Sequence, residues 1–129
     1  LKTGKLYISP YGDELRIVMT NKLAEAKGYY LKNKPKDFNG NVSILEHTYE
    51  NKGACFYSCD DLHFVFFRNK PEAHEIVHEC IHLANKVLYR RGLPLTPDSE
   101  EAYTYLVQFF FKEITDFCGV REIKKLSPR

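Results

Sequence analysis

The spacing of apolar residues changes once along this chain, near Pro71. Before it they come in short runs rich in Tyr, Phe, Val and Ile, broken by turn formers, which is the signature of strands. Leu6-Tyr7-Ile8 and the run at 15–19 flank Pro10-Tyr11-Gly12-Asp13 and predict a hairpin. Thr20 or Asn21 is placed to cap a short helix over 22–27, with Gly28 as its stop. Residues 35–40, which end in Asn39-Gly40, predict a loop. Residues 41–48, 54–57 and 62–67 predict three further strands, with Asp60-Asp61 as the turn into the last. That last run is apolar at almost every position, which predicts a strand buried well inside the sheet or packed under helices.

After Pro71 the period is helical. Ile76, Val77, Cys80, Ile81, Ala84, Val87 and Leu88 form one stripe, Pro71 suits a first turn, Glu72 complements the positive end of the helix dipole, and Gly92 stops the helix. Residues 93–97 form a loop. Asp98 or Ser99 then caps a second helix, with Glu100 and Glu101 in its first turn and a stripe through Ala102, Leu106, Phe109, Phe110, Ile114 and Phe117 as far as Gly119. So short a connection favours antiparallel neighbours. The tail at 120–129 is basic and is expected to fray. The expected fold is α+β in a single domain over 1–129. A small, mostly antiparallel sheet comes from 1–70, and two long antiparallel helices come from 71–119.

The chemistry lies in the first long helix. His74-Glu75-Ile76-Val77-His78-Glu79-Cys80-Ile81-His82 contains His-Glu-x-x-His twice, overlapping at His78. Residues four apart lie on one helical face, so two such histidines can grip one metal ion, and the glutamate after the first lies beside it as a general base. His74 and His82 are about 12 Å apart along a helix and cannot share a zinc through bonds of about 2.0–2.1 Å. The site is therefore either His74/Glu75/His78 or His78/Glu79/His82.

A third ligand decides between them. In an antiparallel pair the start of the second helix faces the later turns of the first, so Glu100 and Glu101 approach His82 and His78 but hardly His74. This favours His78/Glu79/His82. By helical phase the histidines lie opposite the apolar stripe, and Glu101 lies on the polar side with Thr104, Gln108 and Lys112. Glu100 is nearer the apolar edge. Phase leaves both open, although a metal at an open cleft suits Glu101 better.

At this point the chain resembles the gluzincin metallopeptidases, whose pattern is His-Glu-x-x-His, a gap near the present one, and a glutamate ligand often within Glu-Ala-x-x-Asp. The matching residues are His78-Glu79-Cys80-Ile81-His82 and Glu101-Ala102-Tyr103-Thr104-Tyr105, within about 30 of the 129 residues. It is also similar to small phage-type and mobile-element metallopeptidase domains. The resemblance implies a minimal zincin-like fold with one zinc per chain, held by His78, His82 and Glu101. It further implies Glu79 as the base and hydrolysis of a peptide or protein substrate. Tyr105 stands where the family has an aspartate that supports a ligand histidine.

The remaining features narrow the class. A net charge of +2 from 19 basic and 17 acidic residues spread along the chain gives no electrostatic case for nucleic acid. Cys55, Cys59, Cys80 and Cys118 do not read as a disulfide framework in a domain of this size and are expected to be reduced. No apolar run reaches the ~18 residues of a membrane span, and the first residues lack the apolar core of a signal peptide, so a cytoplasmic protein is expected. His74 is expected on the substrate side or as a group supporting a ligand rather than as a ligand itself, and His47 and His63 as ordinary strand histidines. Tyr103 and Tyr105 are placed to stabilise an oxyanion or simply to pack, and among 9 tyrosines packing is the simpler role. A metal-stapled interaction module, for example a phage- or plasmid-encoded protein acting on a host partner, is the rival reading. A metal-dependent amidase is a further one. Glu79 discriminates the first of these, because a structural site needs no base.

Overall fold

The computed structural model describes residues 1–51 and 53–120, so the expected fraying beyond residue 120 lies outside the described residues. In chain order the elements are β1 (Lys2–Ile8), β2 (Asp13–Met19), α1 (Leu23–Asn33), α2 (Ser43–Asn51), β3 (Ala54–Cys59), β4 (Leu62–Phe67), α3 (Ala73–Tyr89) and α4 (Glu100–Cys118). The expected α+β architecture holds. The hairpin at the start is present, with β1 and β2 antiparallel from Lys2↔Met19 to Ile8↔Asp13.

The sheet is mixed, in the order β1-β2-β4-β3, and as expected it is mostly antiparallel: two of its three pairings are antiparallel and the central one is parallel. After β2 the chain crosses one face through α1 and α2, enters the sheet at its far edge as β3, and turns back as β4 into the space beside β2. β3 and β4 pair antiparallel from Ala54↔Phe67 to Cys59↔Leu62. β2 and β4 therefore run parallel, from Glu14↔Leu62 to Met19↔Phe67. The residues of β4 give the physical reason. From His63 to Phe67 each one is buried, so this strand needs neighbours on both sides and cover on both faces. The less buried β3 takes the edge.

Helices cover both faces. Val65 and Phe67 of β4 join Leu15 and Ile17 of β2 under α3 and α4, whose Ile76, Leu83, Val87, Leu106, Phe110 and Ile114 complete that core. Phe64 and Phe66 point the other way, with Val18, into a second core closed by Ala26, Tyr30 and Leu45 of α1 and α2. Close approach of α4 to β1 depends on Gly4, where a Cβ would stand 2.8 Å from the Phe117 ring.

Two expectations in the first half are corrected. The segment at 41–48 is helical, not extended: Asn41 Oδ1 accepts the Ser43 N–H at 2.9 Å at the helix start, and the buried Leu45 and Thr48 lie one turn apart. α1 does not stop at Gly28 but runs on to Asn33. Gly28 is exposed, and its cost of about 1 kcal/mol in a helix is offset by packing of Ala26 and Tyr30, four residues apart. Tyr30 stacks on Tyr57 at 4.3 Å and meets Phe64 edge-on at 5.2 Å.

The second half follows the pattern of its sequence. A capping box between Glu72 and Glu75 starts α3, and Gly92, at φ 72°, turns the chain after it. Ser99 is the N-cap of α4, and Gly119, in the left-handed region, ends it. Near the start of α4, Tyr103 donates to Asn85 Oδ1 in the later turns of α3, so the helices are antiparallel. The core stripe of α3 is centred on Cys80, Ala84 and Val87, all fully buried, whereas Val77 and Ile81 face outward at 38% and 52% exposure. Among the described residues no helix is long and apolar enough to cross a membrane.

Candidate metal centre

α3 presents His78 and His82 outward on consecutive turns, and their Nε2 atoms face each other 3.2 Å apart. A tetrahedral ion with Zn–N bonds of about 2.0–2.1 Å holds two nitrogens about 3.3 Å apart, so the pair has the separation that one zinc requires. The rings cross at 73° with centroids 4.8 Å apart. Phe56, on the edge strand, stacks on His82 at 5.0 Å and 21°. The two histidines line a cavity of about 620 Å³ whose other walls are α2 and β3. Glu79 lines the same cavity and is 5% exposed.

The other histidine-glutamate register is committed to holding the helix end. Glu75 Oε1 accepts the Glu72 backbone N–H at 3.0 Å, and His74 Nδ1 lies 3.4 Å from Glu72 Oε2 on the exposed side of the first turn. His74 and Glu75 do line a smaller cavity of about 340 Å³ that shares His78, Glu79 and Ala54 with the first.

The two carboxylates of the α4 first turn are placed differently. Glu100 shares with His82 a third cavity, of about 920 Å³, in the groove between α3 and α4. Glu101 is exposed and lines none of these three cavities. Among the described residues no three His, Cys, Asp or Glu side chains are gathered closely enough to hold a metal ion. The structure thus brings together His78, His82 and Glu79, and leaves the carboxylate of α4 outside that group.

The local environment suits a neutral, metal-ready imidazole. Desolvation lowers the His82 pKa, and the neighbouring His78 and Lys86 lower it further. Cys80, next to Glu79 in sequence, is no competitor for metal, because its thiol is fully buried on the core side and burial pushes its pKa up to about 12.

The strand expected to carry His47 is not formed. His47 is instead on α2 and lines the same cavity as His78, Glu79 and His82. Asn41 as a helix-starting residue was the available signal. Tyr103 lines the groove beside His82, but its hydroxyl is committed to Asn85. Tyr105 is 54% exposed and stacks with Phe109.

A second polar cluster lies at the other end of the sheet. Ser58 Oγ is 2.8 Å from His63 Nδ1, and His63 Nε2 is 2.6 Å from Asp13 Oδ2. Asp13 and His63 are fully buried, and Arg91 donates to the other oxygen of Asp13. Arg91 already balances the Asp13 charge, and Ser58 lines none of the three cavities, so the series braces the end of α3 against the sheet. Burial lowers the His63 pKa despite Asp13, which leaves the ring neutral with Nε2–H donating.

No protein-family model, no curated protein and no solved structure matches this chain.

Proposed function

We propose that this protein is a zinc-dependent metallopeptidase, with one zinc held by His78, His82 and a carboxylate from the first turn of α4. The resemblance to gluzincins makes that carboxylate Glu101, and the groove shared with His82 makes Glu100 its alternative. The observation that carries the reading is the 3.2 Å separation of the two Nε2 atoms, beside a glutamate buried in the wall of the same cavity. Bound there, zinc supplies Lewis acidity toward a carbonyl oxygen and lowers the pKa of water to about 7. Glu79 takes the proton from the attacking water and passes it to the leaving amine. Phe56 fixes the plane of the His82 ring. Ala54, Cys55 and Phe56 of the edge strand line the cavity, so an extended peptide laid along that edge passes the histidine pair.

A metal-stapled interaction module is favoured by one observation, the groove between α3 and α4 with outward Val77, Ile81 and Leu95. Elemental analysis of the purified protein, combined with chelator-sensitive cleavage of labelled casein, separates the two readings. Glu79→Gln keeps the volume and removes the base, so zinc content persists while hydrolysis drops about 10²–10⁴-fold. A filled zinc site with no cleavage of a broad peptide library favours the module, and a fully active Glu79→Gln variant refutes the proposed chemistry.

A further inference from the structure

We propose that the groove between α3 and α4 is the seat of a second copy of this chain, and that two copies close it by packing helix pair on helix pair. The groove is built of facing rows. On α3, Val77, Ile81 and Asn85 follow one another at four-residue spacing, and on α4 so do Tyr103, Val107 and Phe111, all lining the same space of about 920 Å³. The hydrogen bond from Tyr103 to Asn85 fixes the antiparallel register, which sets Val107 level with Ile81 and Phe111 level with Val77. Apolar residues in such rows are suited to packing against a further element. Ile81 is nevertheless 52% exposed, and Leu95, in the connection between the helices, is 62% exposed.

The dimensions and the charges select a copy of the same chain as the occupant. The 17 residues of α3 span about 25 Å, and two helices side by side are about 20 Å wide, so the outer face of the pair offers roughly 500 Å² in projection and more in accessible surface. That is the scale of the ~800 Å² that each partner contributes to a standard interface. An antiparallel helix pair is also complementary to itself. A two-fold axis crossing the helices at the level of Ile81 and Val107 lays α4 antiparallel on the partner's α4, with the ridges of each pair in the groove of the other, as in a four-helix bundle. Lys112 and the acidic turn of Glu100 and Glu101 are exposed about three turns apart on α4, on opposite sides of that axis. The rotation brings Lys112 of each chain over the acidic turn of the other. One carboxylate is enough for this contact, so the other stays available to the metal site. His82 lines both the groove and the metal cavity, so the second copy walls that site on one flank and leaves the side of α2 and β3 open.

Sedimentation velocity and light scattering on the purified protein, with and without zinc, test this. Interfaces of standard area support micromolar or tighter dissociation constants, so at about 100 µM the mass should be twice the 15.1 kDa of one chain. Ile81→Glu sets a carboxylate near the axis without entering the core, and should weaken the dimer about 10²–10³-fold while circular dichroism stays unchanged. Lys112→Glu should weaken it further at low salt than at high salt. Gln108 is exposed close to the axis and gives a second readout: Gln108→Cys should cross-link two chains under mild oxidation, and Lys36→Cys, on the far side of the sheet, should not. A monomer at that concentration, a dimer that Ile81→Glu and Lys112→Glu leave intact, or equal cross-linking from the two cysteine positions overturns the proposal. None of these results depends on zinc content or cleavage, so the metallopeptidase reading stands or falls separately.

Discussion

Phe56 stacks face to face on His82, with ring centroids 5.0 Å apart, and so ties the edge strand β3 to the outer side of α3. The contact orients a proposed ligand without touching the metal. Such supporting groups are typically worth about 10–100-fold in metal affinity. Phe56→Ala should therefore weaken zinc binding by about that factor, measured by competition with a chromogenic chelator, while circular dichroism stays unchanged. Unaltered affinity would show that His82 needs no orienting partner.

The ligand set is tested by zinc content. His78→Ala and His82→Ala should each lose the metal, and His74→Ala should keep it, since His74 pairs with Glu72 at the exposed helix start. Retention in His82→Ala with loss in His74→Ala would move the site one register toward the start of α3. Of Glu100→Ala and Glu101→Ala, one should lower zinc affinity and the other leave it alone, which identifies the third ligand. If neither matters, the carboxylate of α4 is not a ligand.

Asp13 and His63 meet at 2.6 Å with no exposure, and Arg91 completes the cluster. Removing one member of a buried charge cluster strands the others, so Asp13→Ala should lower stability by about 3–5 kcal/mol in urea denaturation. The His63 pKa is lowered in the folded state, chiefly by burial. Below its ordinary value of about 6.5 the unfolded chain binds a proton that the folded chain refuses, so stability falls as pH drops through that range toward the folded pKa. His82, also lowered, adds a slope of the same sign in metal-free protein. His63→Gln should flatten the decline that begins as pH falls through about 6.5. An unchanged slope would mean that the folded and unfolded states take up the His63 proton equally.

The four cysteines form no disulfide and are all buried. Burial pushes the Cys80 pKa up to about 12 and the Cys118 pKa up to about 11. Little thiolate forms at neutral pH, so thiol reagents should react slowly with native protein and should titrate four thiols once it is denatured without reductant. Recovery of fewer would reveal disulfides in the isolated protein.

Much of the fold was legible because local pattern and final environment agree. β4 is apolar at nearly every position and lies at the centre of the sheet, and α3 and α4 start and stop at their capping residues and glycines. Where they disagree the sequence misleads. Residues 41–48 carry too few apolar positions to separate a short helix from a strand, and packing of Leu45 and Thr48 behind the Asn41 cap decides for the helix. The parallel pairing of β2 with β4 has no local signature, because it follows from where a connection of some forty residues re-enters the sheet.

The same division holds for the candidate site. Spacing alone determined that His78 and His82 share a face with Glu79 beside them, since helical periodicity fixes neighbours three and four residues apart. Spacing also offered the equivalent His74/Glu75/His78 set, and only the folded chain commits Glu75 to capping α3. His47 and Phe56 had no sequence signal linking them to the histidines, because their approach depends on α2 and β3 packing beside α3 across more than twenty intervening residues. Local periodicity sets what lies on one helix, and long-range packing sets what faces it.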